Sequence, residues 1–164
     1  MTSGAQNGDD RRPRPGRRVL LQRLGHADVR LLLDVRRRRG VRGPDCAWAN
    51  SLRLQAALAR VRIAYEHRPD LAPTTELRRL QYAEDARRGV GKRSRHELAA
   101  EYTRRYSAEI LDSADLTPIV SALSSGGVAA LFCVERDAEA CHSSLIARRL
   151  AEQHRVAVEH LRPW

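Results

Sequence analysis

Two short apolar runs constrain this chain more than any other feature. Val29 to Val35 reads VRLLLDV and Val128 to Cys133 reads VAALFC. Neither alternates apolar with polar residues, so neither suits a strand with one wet face. Continuous runs of this length, rich in branched side chains, fit strands of a parallel sheet buried on both faces. Such a sheet needs helices above and below it.

The remaining periodicity supplies those helices. Leu54, Ala57, Leu58 and Val61 fall at helical spacing behind Asn50 or Ser51 as a cap. Arg62 to Glu66 (RIAYE) alternates and predicts a short strand. Pro69 and Pro73 mark a loop, and Thr74 or Thr75 caps a helix to about Arg88, before Gly89 and Gly91. Leu98, Tyr102, Tyr106 and Ile110 predict a helix over 96–111. Asp115 caps a helix carrying Leu116, Ile119, Val120 and Leu123, which Gly126-Gly127 ends. Cys141 to Gln153 predicts a long helix with Leu145, Ile146 and Leu150 inward, and Val156 to His160 a last strand. Upstream, Val19 to Leu24 predicts the end of a short helix stopped at Gly25. The fold class is α/β: a single three-layer domain with a small, mostly parallel sheet and helices on both faces.

A length of 164 residues suits one core, and 42% apolar content excludes wholesale disorder. Residues 1–16 lack hydrophobic periodicity and predict a disordered basic tail, leaving 17–164 as the domain. The N-terminus is polar and arginine-rich, unlike a secretory signal, and no window is apolar enough to span a membrane. Three cysteines (Cys46, Cys133, Cys141) form no disulfide framework, so a reducing cytoplasm is the expected location. The net charge of +10 lies in one place, because residues 11–42 hold twelve arginines against Asp28 and Asp34. Such a block suits phosphate contacts, and equally a solvated tail in a chain where Lys92 is the one lysine.

In open parallel sheets ligands bind at the C-terminal ends of the strands. Three polar groups fall there. Asp34 and Arg36 sit at the C-terminal edge of the first run, and Tyr65, Glu66 and His67 lie at the end of the second strand. Cys133 ends the last run, and Glu135 and Arg136 follow it and lead into Cys141-His142. A carboxylate at such an edge serves as a general base or pairs with an arginine, which applies to Glu135 and Asp34. A thiol near a helix N-terminus and an arginine gains nucleophilicity, although Cys133 equally suits a small buried apolar role. His142, opening a helix, accepts a proton or holds a phosphate beside the adjacent amides. C-x7-C-H has neither half of a structural zinc spacing, so no metal and no cofactor are expected. His26, His96, His154 and His160 have no motif around them. Dinucleotide, Walker, G-x-S-x-G, H-E-x-x-H and C-x5-R templates are all missing. Few aromatic residues are present, and Trp48 and Trp164 lie in a loop and at the terminus, which thinly supports stacking on bases.

CVERDAEACHSSLIARRLAEQHRVAVEHL resembles the C-x-E-x5-C-H-R signature of the domain of unknown function 488 family. LLLDVRRRRG resembles that family's strand ending in D-V-R, and LQAALARVRIAYEHRPDLAPTTELRRLQ its helix and following strand. The resemblance runs over 17–162 in the same order. It implies a compact α/β domain with these motifs at one sheet edge, and no reaction. Two departures stand out. Ser143 occupies the place of the arginine after Cys-His, and only a short arginine-rich segment precedes the first helix, as in a divergent or truncated N-terminus.

The expected function is an enzyme acting on a phosphate-bearing substrate, a nucleic acid or nucleotide. Arg36, Tyr65, His67, Arg136 and Cys141 would bind it, and Glu135, Cys133, His142 and Asp34 would be the catalytic groups. Two alternatives are a non-catalytic nucleic-acid or protein binding module and a thiol-dependent redox or sulfur-handling protein. Nothing in the sequence sets the oligomeric state.

Overall fold

The computed structural model describes residues 16–40, 44–92, 94–133 and 137–161. Three parallel strands, β1 (Val29–Asp34), β2 (Ala64–His67) and β3 (Val128–Phe132), form a sheet in the order β2-β1-β3. Leu32 of β1 aligns with Tyr65 on one side and Ala130 on the other, and Asp34 aligns with His67 and Phe132. The first apolar run is therefore the central strand, as its two-sided hydrophobicity requires.

Each face of the sheet carries its own core. Leu33 and Val35 point to one side, where they meet Leu77, Tyr106, Ile119 and Ile146. These come from α3 (Thr75–Arg87), α4 (Ala100–Tyr106), α5 (Thr117–Ser124) and α6 (His142–His154). Leu32 points to the other side and joins Leu24, Leu54, Leu58 and Phe132, with α1 (Arg17–His26) and α2 (Ser51–Arg60) above it. Val29 also lies on this second side because the β1–β3 register shifts between Val29 and Leu31. The architecture is the expected three-layer α/β domain. Among the described residues no helix is long and apolar enough to cross a membrane.

Local chemistry sets several boundaries. Thr74 caps α3, its side chain accepting from Leu77 N at 3.2 Å, and Asp115 accepts from Thr117 N at 3.0 Å before α5. Asn50 holds the N-cap position of α2, but its side chain does not bond the first turn; the Ser51 hydroxyl accepts from Arg39 and Gln55. The helix expected over 96–111 begins at Ala100 and ends in a wider π turn over Ser107–Leu111. That turn brings both Tyr106 and Leu111 inward, which a strict α-helix would not do at a spacing of five.

Three expectations need correction. Gly25 does not stop α1, which runs to His26; Asp28, at φ 55°, makes the turn into β1. Arg62 at φ 58° makes a similar turn, so β2 starts at Ala64 rather than Arg62. The segment 156–160 is not a strand. Arg155 takes a left-handed conformation, its N–H bonds Ala151 O, and Val156 N–H bonds Leu150 O. This double bond closes α6 and uses Val156 as the apolar contact of the cap. The alternation then has nothing to bury, and Val158 is 43% exposed. Of the tail expected over 1–16, residues 1–15 lie outside the described residues, and Gly16 is the N-cap of α1.

Candidate functional site

The chain leaves β1 toward α2 on one face and leaves β3 toward α6 on the other. The crevice between the ends of β1 and β3 is thus a topological switch point, where open α/β sheets bind ligands. Asp34, Val35 and Arg36 lie on one side of this switch point, and Phe132, Cys133 and the start of α6 on the other.

Asp34 is fully buried and accepts from Arg36 Nε and Nη2, each at 2.8 Å. Tyr65, coming from β2, donates its hydroxyl to Asp34 Oδ2 at 2.6 Å. Burial pushes the Asp34 carboxyl up, but the bonds from Arg36 and Tyr65 and the Arg36 charge outweigh it and hold it below 3.8. Burial and the bond to Asp34 push the Tyr65 hydroxyl upward. Arg36 itself is only 5% exposed and lies over the Phe132 ring at 4.8 Å. Its third nitrogen, Nη1, is buried without a hydrogen-bond partner. Trp48 braces Phe132 edge-on, with ring centroids 6.4 Å apart.

Two histidines hold the backbone that follows β1. His67 Nε2 contacts Arg36 O at 2.8 Å, and His142 Nε2 contacts Val35 O at 3.0 Å. A carbonyl only accepts, so each Nε2 carries the hydrogen. This leaves Nδ1 of His142 turned to Cys141 Sγ, 3.6 Å away. Cys141 Sγ in turn lies 2.7 Å from Cys133 Sγ. Cys133 directly follows β3 and is half-buried, whereas Cys141 and His142 are buried at the head of α6. Tyr106 packs against the His142 ring at 5.8 Å and donates its hydroxyl to Leu71 O at 2.6 Å.

The structure therefore brings Asp34, Arg36, Tyr65, His67, Cys133, Cys141 and His142 to one sheet edge. Glu135 and Arg136 lie outside the described residues. His96 pairs with Asp137 on the surface, and His26, His154 and His160 are exposed. Sequence reasoning missed Tyr106, Phe132 and Trp48, whose apolar character marked them as core or loop. It also missed Arg95, which binds Asp85 and reaches Ala140 O at 3.4 Å, just ahead of Cys141.

Chemically the edge offers a rigid guanidinium with one uncommitted nitrogen, an imidazole facing a thiol, and a second thiol beside the first. A family model described as Domain of unknown function DUF488 matches residues 17–150. No curated protein matches the chain, and no solved structure matches it.

Proposed function

Because the chain belongs to the domain of unknown function DUF488 family, whose name carries no reaction, we propose a function from the site itself: the protein is an enzyme that binds a phosphate-bearing substrate, a nucleotide or nucleic acid, in the crevice between β1 and β3. The observation that carries this reading is Arg36 Nη1. A buried N–H without a partner costs roughly 1–3 kcal/mol, and more when the group is charged. An anionic oxygen in the crevice would satisfy it, and a guanidinium already fixed by Asp34 would lose little freedom in binding. Arg37 and Arg38 follow directly and are exposed, so they are free to meet further phosphates of a polymer.

In this reading Asp34 positions Arg36, since Arg36 and Tyr65 occupy both its oxygens. The proton acceptor is then Glu135, two residues beyond Cys133, with Arg136 as a second anion holder. His142 and Cys133 assist from the α6 side.

The test is incubation of short single- and double-stranded DNA and RNA, and of nucleotides, with wild type and Glu135→Ala at two salt concentrations. Binding should weaken steeply with salt, and a product should form with wild type alone. Equal binding without a product in either protein would make this a non-catalytic module. No binding even at low salt would overturn the proposal.

A further inference from the structure

We propose that Cys133, Cys141 and His142 form a binding site for one thiophilic divalent cation of the zinc class. The three donor atoms all lie within 4.8 Å of one another. Two thiolates and an imidazole are the donor set that zinc takes in three-ligand sites, which keep a fourth position for water or substrate.

The histidine is prepared for this role. A ligating imidazole almost always donates its other N–H to a carboxylate or carbonyl, which fixes the ring and the tautomer. His142 does so through Nε2 to Val35 O, leaving Nδ1 toward the sulfurs. Zinc–sulfur bonds of about 2.3 Å and zinc–nitrogen bonds of about 2.0–2.1 Å at a tetrahedral angle separate S and N by about 3.6 Å. The Cys141 Sγ–His142 Nδ1 distance is 3.6 Å. Two sulfurs on the same ion lie about 3.7 Å apart, so the present 2.7 Å must open by roughly 1 Å. Cys133 is the half-buried member and directly follows its strand, so it is the donor whose shift would open this distance.

The spacing C-x7-C-H gave no hint of this, because zinc-finger spacings describe closed four-ligand sites. Here one donor comes from the end of β3 and two from the head of α6. Binding would release the thiol protons to solvent and requires no oxidant or reductant. The site shares Cys133 and His142 with the function proposed above but depends neither on Arg36 nor on that substrate.

The test uses the full chain without a histidine tag, purified without chelator. Elemental analysis should find one zinc per chain. After the metal is stripped, cobalt(II) chloride should restore one equivalent, with intense thiolate-to-cobalt charge transfer and tetrahedral ligand-field bands. Cys133→Ser should lose about half of the charge-transfer intensity, and His142→Ala should shift the ligand-field bands and weaken cobalt binding at least about tenfold. Circular dichroism of each variant separates ligand loss from unfolding, and the wild-type spectrum is decisive if a variant does not fold. Metal-free protein that gives no charge-transfer band with cobalt would overturn the proposal. So would fresh protein in which Cys133 and Cys141 are already joined as a disulfide.

Discussion

Arg36 folds back onto Asp34, two residues earlier, through two parallel hydrogen bonds of 2.8 Å, and both side chains are buried. The pair fixes the guanidinium plane beside the C-terminal end of β1 and leaves Nη1 buried and uncommitted. Lysine keeps the charge but cannot make the fork. Arg36→Lys should therefore fold, with a loss of about 1–3 kcal/mol in urea unfolding. Unchanged stability would show that the fork contributes nothing.

Tyr65→Phe removes the 2.6 Å bond to Asp34 together with the hydroxyl's interactions with Arg39 and Ser51. Hydrogen bonds to charged groups contribute about 1.5–3 kcal/mol, so stability should fall by an amount in that range. The Asp34 carboxyl should also titrate at higher pH than in wild type, which carboxyl NMR would detect, because one of the bonds holding it below 3.8 is gone.

Asp85 and Arg95 form a second buried pair, with side chains 7% exposed on each side. Gln81 joins them, donating to Asp85 Oδ1 and accepting from Ala99 N. Breaking one side of such a pair costs about 3–5 kcal/mol, whereas replacing both partners by apolar residues costs far less. Asp85→Ala should thus destabilise more than the double variant Asp85→Leu/Arg95→Met, as judged by melting temperature.

Acid sensitivity follows from the same two carboxylates. Burial pushes Asp85 up, but Arg95 and Gln81 outweigh it, so Asp34 and Asp85 are both held below 3.8. The folded state then binds fewer protons than the unfolded state in the acid range. Their contribution is complete above the unfolded value and is lost as pH falls through the folded one. The urea midpoint should be flat from about pH 7 to pH 5 and drop below about pH 4. The double variant at Asp85 and Arg95 should show a shallower drop.

Tyr106→Phe leaves Leu71 O buried without its donor at 2.6 Å. A loss of about 1–3 kcal/mol is expected. The ring still packs on Tyr102 and His142, so cobalt binding at the proposed metal site should be unchanged.

The sheet was legible where burial leaves an unambiguous pattern. The run from Val29 to Val35 became the central strand, buried on both faces, whereas the run from Val128 to Cys133 became the parallel edge strand β3, in which only Phe132 is buried. The alternation at Val156 misled because a helix cap consumed its first valine. Gly25 misled because Asp28 supplied the left-handed turn instead. At the site, polar residues at strand ends gave Asp34, Arg36, Tyr65, His67, Cys133, Cys141 and His142. Their pairings were not legible. The bond from His142 to Val35 O joins positions 107 residues apart, and nothing local encodes it. Phe132, Trp48 and Tyr106 were hidden by their types, since an aromatic residue that braces a site looks like one that fills a core.

The most direct test of the central claim is calorimetric titration of a nucleoside monophosphate and a short oligonucleotide into wild type, Arg36→Lys and Arg37→Ala/Arg38→Ala. If Arg36 holds the phosphate, Arg36→Lys loses at least about tenfold in affinity for both ligands, which is about 1.4 kcal/mol. The double variant should then weaken the oligonucleotide and leave the mononucleotide nearly unchanged. Equal affinity of Arg36→Lys and wild type for both ligands would contradict the account.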